Sequence, residues 1–172
     1  MCIRDRLATR PVFKRCLSND ALLREVGEDI ENLLSSQTRW EAVRRNQVLC
    51  IGTPETLSGL HSWLTQSTIP VCWANEFNGG EDKVVLANFV DAKGLERDYV
   101  FILDIDQLPD GTLTENRLFT PATALEEEAR LSRIKIFISL TRALREVHVY
   151  YTQPQRRFVV ELLKLKEVLE KR

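Results

Sequence analysis

Residues 83–105 read KVVLANFVDAKGLERDYVFILDI. Two apolar runs, Lys83 to Val90 and Asp98 to Ile105, flank a polar turn. Both runs are nearly continuous rather than alternating, so each predicts a strand buried on both faces, as in a parallel sheet covered by helices. The chain turns between them through Ala92-Lys93-Gly94-Leu95-Glu96. In open α/β sheets ligands bind outside the carboxyl ends of the strands, which marks this turn as a candidate site. Gly94 permits close backbone approach or an unusual dihedral, and Glu96 is suited to accept a hydrogen bond from a ribose hydroxyl. The same residues also fit a plain strand-to-strand connection with a solvated lysine and glutamate.

Outward from this stretch, three further apolar runs predict strands: Gln47 to Ile51, Ile69 to Trp73 and Glu146 to Tyr151. Helices are expected between and around them. The first spans 20–35, capped by Ser18 or Asn19, with Leu22, Leu23, Val26, Ile30, Leu33 and Leu34 at helical spacing. The second spans 55–66, with Thr53 as N-cap and Pro54 in its first turn. The third spans 124–144, capped by Thr123 with Glu126, Glu127 and Glu128 in its first turn. The last is an amphipathic helix over 156–171. Residues 7–18 read as an irregular or extended lead-in, 36–46 as a basic connection, and 106–121 as a long polar loop of functional or mobile character. Strands alternating with helices predict an α/β domain with a mainly parallel sheet of about five strands. It spans 47–152, preceded by a lead-in and leading helix (7–46) and followed by a terminal helix (153–172).

A second polar element closes the third helix: Phe137-Ile138-Ser139-Leu140-Thr141-Arg142-Ala143. Arginine is permanently charged and offers a rigid fork of donors. Set at a domain edge, Arg142 is suited to stabilise charge on a transferring phosphoryl group across a cleft. Thr141 would hydrogen-bond locally and fix the turn. A surface arginine favoured by the helix dipole is the simpler alternative.

In this order and spacing, Ala92–Glu96 and Leu140–Ala143 resemble motifs V and VI of superfamily 1 DNA helicases of the UvrD/Rep/PcrA type. The resemblance covers roughly residues 45–152, and implies a RecA-like three-layer domain, the second motor domain of such an enzyme. It implies that ATP is held mainly by a first motor domain absent from this chain, which would also bind Mg²⁺. Arg142 then matches the arginine finger and Glu96 the ribose contact, with Lys93, Gly94 and Thr141 near the nucleotide and Asn88 and Asp91 near nucleic acid. Single-stranded or duplex DNA, 3′-to-5′ movement and a cytoplasmic location are further implications. Two motifs depart from the family pattern. Motif V in many members opens with Thr-x-His-Ser, where this chain has Asn88, Val90 and Asp91. A motif IV arginine is replaced by Leu57. The chain has no G-x-x-x-x-G-K-[ST] phosphate loop, so alone it is not expected to turn over ATP. Two other readings stay open: a degenerate helicase-like domain that only binds nucleic acid or protein, and a self-contained flavodoxin-like domain for a small ligand.

Composition narrows the partners. A net charge of −1 gives no global basic field to announce nucleic acid. No apolar run approaches the ~20 residues of a membrane span, so no membrane partner is expected, and no secretory signal is visible. Cys2, Cys16, Cys50 and Cys72 lack C-x-x-C spacing, and His61 and His148 are the only histidines, so no zinc site is expected. Reduced thiols fit a cytoplasmic protein. Candidate base-stacking platforms are Trp40, Trp73, Phe77 and Phe89, and candidate phosphate contacts are Arg39, Arg44, Arg45 and Lys83. Trp63 and Phe101 are expected in the core, His148 is expected to be structural, and Arg156-Arg157 to start the last helix in solvent. Met1 to Arg6 matches a translated sequencing adapter and is set aside from fold reasoning.

Overall fold

The computed structural model describes residues 11–35, 42–112 and 120–170. The adapter-like hexapeptide, Arg39 and Trp40 lie outside these residues, as does part of the 106–121 loop. A six-stranded sheet forms the middle layer, in the order β1-β6-β5-β2-β4-β3. Its strands are β1 (Val12–Arg15), β2 (Val48–Gly52), β3 (Val71–Trp73), β4 (Val84–Asn88), β5 (Arg97–Ile102) and β6 (Ala143–Tyr151). Every neighbouring pair is parallel. The helices are α1 (Asn19–Ser35), α2 (Pro54–Gln66), α3 (Ala122–Leu140) and α4 (Arg157–Glu170).

The inner strands β2, β4 and β5 bury both faces, as their continuous apolar runs require. On one face Val48, Cys50, Leu86, Tyr99, Phe101 and Tyr150 pack under α1 and α2, meeting Leu22, Val26, Ile30, Leu57 and Leu60. On the other, Leu49, Ile51, Val85, Val100, Ile102, Val147 and Val149 pack against Ala129 and Ile136 of α3 and Phe158 and Val159 of α4. Two glycines let α1 and α2 approach. A Cβ on Gly27 would fall 2.3 Å from the Trp63 ring, and one on Gly59 2.7 Å from Leu23. Trp63 is therefore a half-buried packing element rather than a fully enclosed one. Phe101 is enclosed and stacks on His148 at 5.0 Å, and the histidine packs in one cluster with Phe101 and Tyr150, as its place within a strand suggests. His148 Nε2 lies 3.4 Å from Glu146.

Several boundaries differ from the sequence reading, each for a local reason. The lead-in contains a genuine edge strand, β1, paired in register from Val12–His148 to Arg15–Tyr151. Its polar Lys14 and Arg15 hide it from hydrophobic patterning, and it is held from the side. Lys14 Nζ reaches Asp29 of α1 at 2.6 Å, and the Tyr150 hydroxyl donates to the same carboxylate. Helix α3 begins at Ala122 with Pro121 at the capping position and no side-chain cap. Thr123 is inside the helix, and the three glutamates fall after its opening residues. That helix stops at Leu140 rather than 144, because Ala143 already pairs with Arg97. The caps of α1 and α2 are as expected. Ala21 N donates to Ser18 Oγ at 3.1 Å, and the Thr53 side chain accepts from Thr56 N with Pro54 at the helix start.

Candidate functional site

The predicted site residues divide between opposite ends of the sheet. β4 ends at Asn88, and the chain must return to the start of β5, on the far side of β2, in the eight residues 89–96. It descends through successive turns, with Ala92 N to Asn88 O at 3.0 Å, Lys93 N to Val90 O at 3.3 Å and Leu95 N to Ala92 O at 3.2 Å. Phe89 and Ala92 anchor the segment in the α3/α4-side core, so Phe89 is not available for base stacking. Asn88 and Asp91 therefore stay at the carboxyl end of the sheet, while Glu96 reaches its amino end. The turn does not lie wholly at the carboxyl ends of the strands, where the general rule for α/β sheets would put it, because this connection crosses from one end of the sheet to the other.

At the amino end, the end of the 89–96 segment meets the end of α3. Arg97 N donates to Arg142 O at 3.0 Å, and the strands continue as the Arg97–Ala143 pair, followed by an irregularity before Tyr99. Arg142 is half-buried. Its Nε donates to Ile138 O at 3.0 Å and its Nη2 to Thr141 Oγ1 at 3.2 Å. Thr141 in turn donates to Ile138 O at 2.8 Å. The helix terminus thus fixes the guanidinium while one terminal nitrogen keeps no partner among the described residues. Gly94 has φ +87° with nothing within 4 Å of an added Cβ. The glycine is needed for its backbone conformation, and its free side is open space where a ligand could approach. Lys93 and Glu96 are exposed.

The neighbouring Arg97 went unnoticed in the sequence. Its guanidinium lies 4.9 Å over the Phe77 ring, and Nη1 donates to Glu96 O at 2.7 Å. Its Nε is buried without a partner, and burial lowers its pKa from the usual arginine value. Phe77 is accordingly occupied by this stack rather than standing free for a base.

At the carboxyl end, Asn88 closes its own turn. Its Oδ1 accepts from Val90 N at 2.8 Å and Asp91 N at 2.9 Å, and its Nδ2 donates to Asp91 Oδ2 at 2.6 Å. Beside it lies a cleft of about 190 Å³ lined by Pro54, Leu57, Trp73, Glu76, Asn88 and Asp91. Trp73 is held flat against His61, with ring centroids 5.9 Å apart. Leu57 is fully buried, so the position matched to a family arginine belongs to the core. Val90 is 65% exposed, an apolar side chain where the family pattern has a histidine. Of the expected phosphate contacts, Arg45 pairs with Asp82 at 3.0 Å and Lys83 with Glu81 at 2.6 Å.

Three carboxylates near this end, Asp104, Asp106 and Asp110, are buried. Asp104 follows β5 in a left-handed conformation, φ 49° and ψ 37°. It accepts from Thr53 N at 3.1 Å and from the Thr53 hydroxyl, joining β5 to the start of α2. Burial outweighs these bonds and pushes its carboxyl up to about 6. Asp106 accepts from Thr152 N at 3.1 Å and Gln153 N at 2.9 Å. Arg156 is not a solvated helix start: its Nε donates to Asp106 O at 2.9 Å and lies 3.4 Å from the buried Asp110 carboxylate. These residues lock the 104–112 segment to the start of α4. Among the described residues, no group of three or more His, Cys, Asp or Glu side chains is placed to hold a metal ion. No helix among them is long and apolar enough to cross a membrane.

No protein-family model matches the chain, and no curated protein is significantly similar to it. Solved structures do match. The C-terminal domain of a possible DNA helicase from Lactobacillus plantarum WCFS1 aligns with TM-score 0.51 and 16% identity, over 87% of this chain and 81% of that one. The C-terminal domain of the DEAD-box protein Dbp5 aligns with TM-score 0.56 and 12% identity, over 95% of this chain and 86% of that one. At these identities the likeness establishes the fold, which is the RecA-like fold found in helicase C-terminal domains.

Proposed function

We propose that this chain is the C-terminal motor domain of an ATP-dependent DNA helicase or translocase of the superfamily 1 type, moving 3′ to 5′ and working in the cytoplasm. One observation carries the reading: Glu96 and Arg142, from distant segments, are drawn to one edge by the hydrogen bond from Arg97 N to Arg142 O. That edge fits a nucleotide. Its two arginines form no ion pair with a carboxylate among the described residues, and the side of Gly94 is open. The fold likeness to two helicase C-terminal domains supports the reading.

ATP, when bound between this domain and an N-terminal motor domain holding Mg²⁺, supplies the transferable phosphoryl group. The residues of this chain would position it. Arg142, restrained by Ile138 and Thr141, sets a fixed positive charge toward the developing negative charge, where preorganised donors count most. Glu96 would accept a ribose hydroxyl, and Lys93 would add positive charge at the rim. Asn88, Asp91 and the Trp73 cleft would face the DNA at the opposite end. Nucleotide state and DNA grip would then be connected through the 89–96 segment, which runs between the two ends.

The test is ATP titration into the chain, followed by NMR, with wild type beside Arg142→Ala. The expected result is weak binding by wild type, with affinity falling about tenfold in the variant, the loss of one charge-assisted contact. Equal ATP affinity in both would overturn the nucleotide role of Arg142. The buried Leu57 and exposed Val90 favour a second reading, a helicase-like domain that binds nucleic acid without nucleotide. Single-stranded DNA bound without any ATP binding would support that one.

A further inference from the structure

Arg97 is built unlike a surface arginine. Its guanidinium is pinned by the Phe77 ring on one side and by Glu96 O on another, with Nε shielded from solvent and unpartnered. Burying part of a permanent charge without a counter-ion is unfavourable unless something else offsets it. No carboxylate does so among the described residues, although Glu96 is next in sequence and Asp98 one residue beyond. Asp98 is turned elsewhere: it accepts from Gln47 Nε2 at 2.6 Å and lies 3.7 Å from Arg145. Arg142, whose carbonyl bonds to the Arg97 amide, is the second such cation, held by a helix terminus. Each guanidinium retains one terminal nitrogen unengaged among the described residues. Two restrained like charges on segments joined by the Arg97 N to Arg142 O bond, with open space at Gly94 and exposed Lys93 on the same connection, suit an anion of more than one charge.

We propose that Arg97 is a second phosphate-binding residue, acting with Arg142 as a two-arginine clamp on the terminal phosphates of a nucleoside triphosphate. The inference rests on the nucleotide reading above and adds a residue to it. The Phe77 stack and the Glu96 carbonyl restrict the rotamers of Arg97, so little side-chain entropy remains to be lost on binding. The planar fork, not only its charge, makes the contact, so lysine would be an incomplete substitute.

The experiment titrates ATP, inorganic pyrophosphate and adenosine monophosphate into the 172-residue chain. It compares wild type with Arg97→Ala, Arg97→Gln, Arg97→Lys and Arg142→Ala, each checked for folding by its melting curve. Arg97→Gln removes the charge but can keep the bond to Glu96 O, so it carries the test if the alanine variant does not fold. ATP and pyrophosphate affinity should fall about tenfold in Arg97→Ala and Arg97→Gln and recover in part in Arg97→Lys. Adenosine monophosphate, lacking the terminal phosphates, should change less than twofold. If Arg142→Ala weakens ATP binding and the Arg97 variants do not, the Arg97 inference is overturned and the nucleotide reading stands. If the Arg97 variants weaken all three ligands equally, Arg97 is a packing residue and the clamp is wrong. If no variant changes ATP affinity, the nucleotide reading fails first.

Discussion

Asp104→Asn should reveal a buried carboxylate as a pH-dependent cost to folding. Asp104 is 1% exposed, and burial raises its carboxyl from 3.8 to about 6 despite the hydrogen bonds from Thr53. The folded chain therefore binds a proton more tightly than the unfolded chain does. Between about pH 4 and pH 6 the native state carries the extra proton, so stability from this group is full below pH 4 and lost as pH rises through 6. The difference corresponds to ~3 kcal/mol, at ~1.4 kcal/mol per pH unit. Asparagine keeps an acceptor for Thr53, tolerates the left-handed backbone and never ionises. Urea denaturation of both proteins from pH 4 to pH 8 should show nearly equal stability at the acid end. The variant should then gain up to ~3 kcal/mol relative to wild type by pH 7. Subtracting one curve from the other removes the titration of all other groups. A difference that stays constant across the range would refute the reasoning.

Other perturbations test the packing and the corrected positions. Leu57→Arg, which restores the residue type of the family pattern, should destabilise by ~3 kcal/mol or more by burying an unpaired charge. It should leave ATP affinity unimproved in NMR titration. Gly27→Ala should cost ~1–3 kcal/mol through overpacking against Trp63. In a double-mutant cycle Trp63→Ala should cancel most of that cost, measured by denaturant melts. Arg156→Ala should cost ~2 kcal/mol by leaving the Asp110 carboxylate and two carbonyls of the 106–108 turn short of a donor. Faster amide exchange at residues 106–110 would be its local signature.

The parallel sheet was legible because its strands are buried on both faces, which leaves uninterrupted apolar runs such as Val84–Ala87 and Val100–Leu103. β1 was not legible as a strand, because an edge strand with Lys14 and Arg15 owes its place to Asp29 and β6, partners remote in sequence. The end of α3 was misplaced because Thr141 and Arg142 are acceptable helix residues, and only the long-range pairing of Ala143 with Arg97 stops the helix. The candidate site residues were named from residue type and from a family resemblance, and neither says which edge of the sheet each one occupies. A segment that runs from one end of the sheet to the other separates Asn88 from Glu96 by the height of a strand. Arg97 and Asp104 sit directly after Glu96 and Leu103, within stretches already singled out. Their importance lies in burial and in missing or distant partners, which a linear pattern does not carry.

The most direct measurement is a residue-by-residue map of backbone amide shifts in the chain as ATP is added. The account predicts that the largest changes fall at Gly94, Glu96, Arg97, Thr141 and Arg142, at the amino ends of β5 and β6. Changes centred instead on Thr53, Trp73 and Asn88 at the carboxyl ends, or no changes at millimolar ATP, would contradict it.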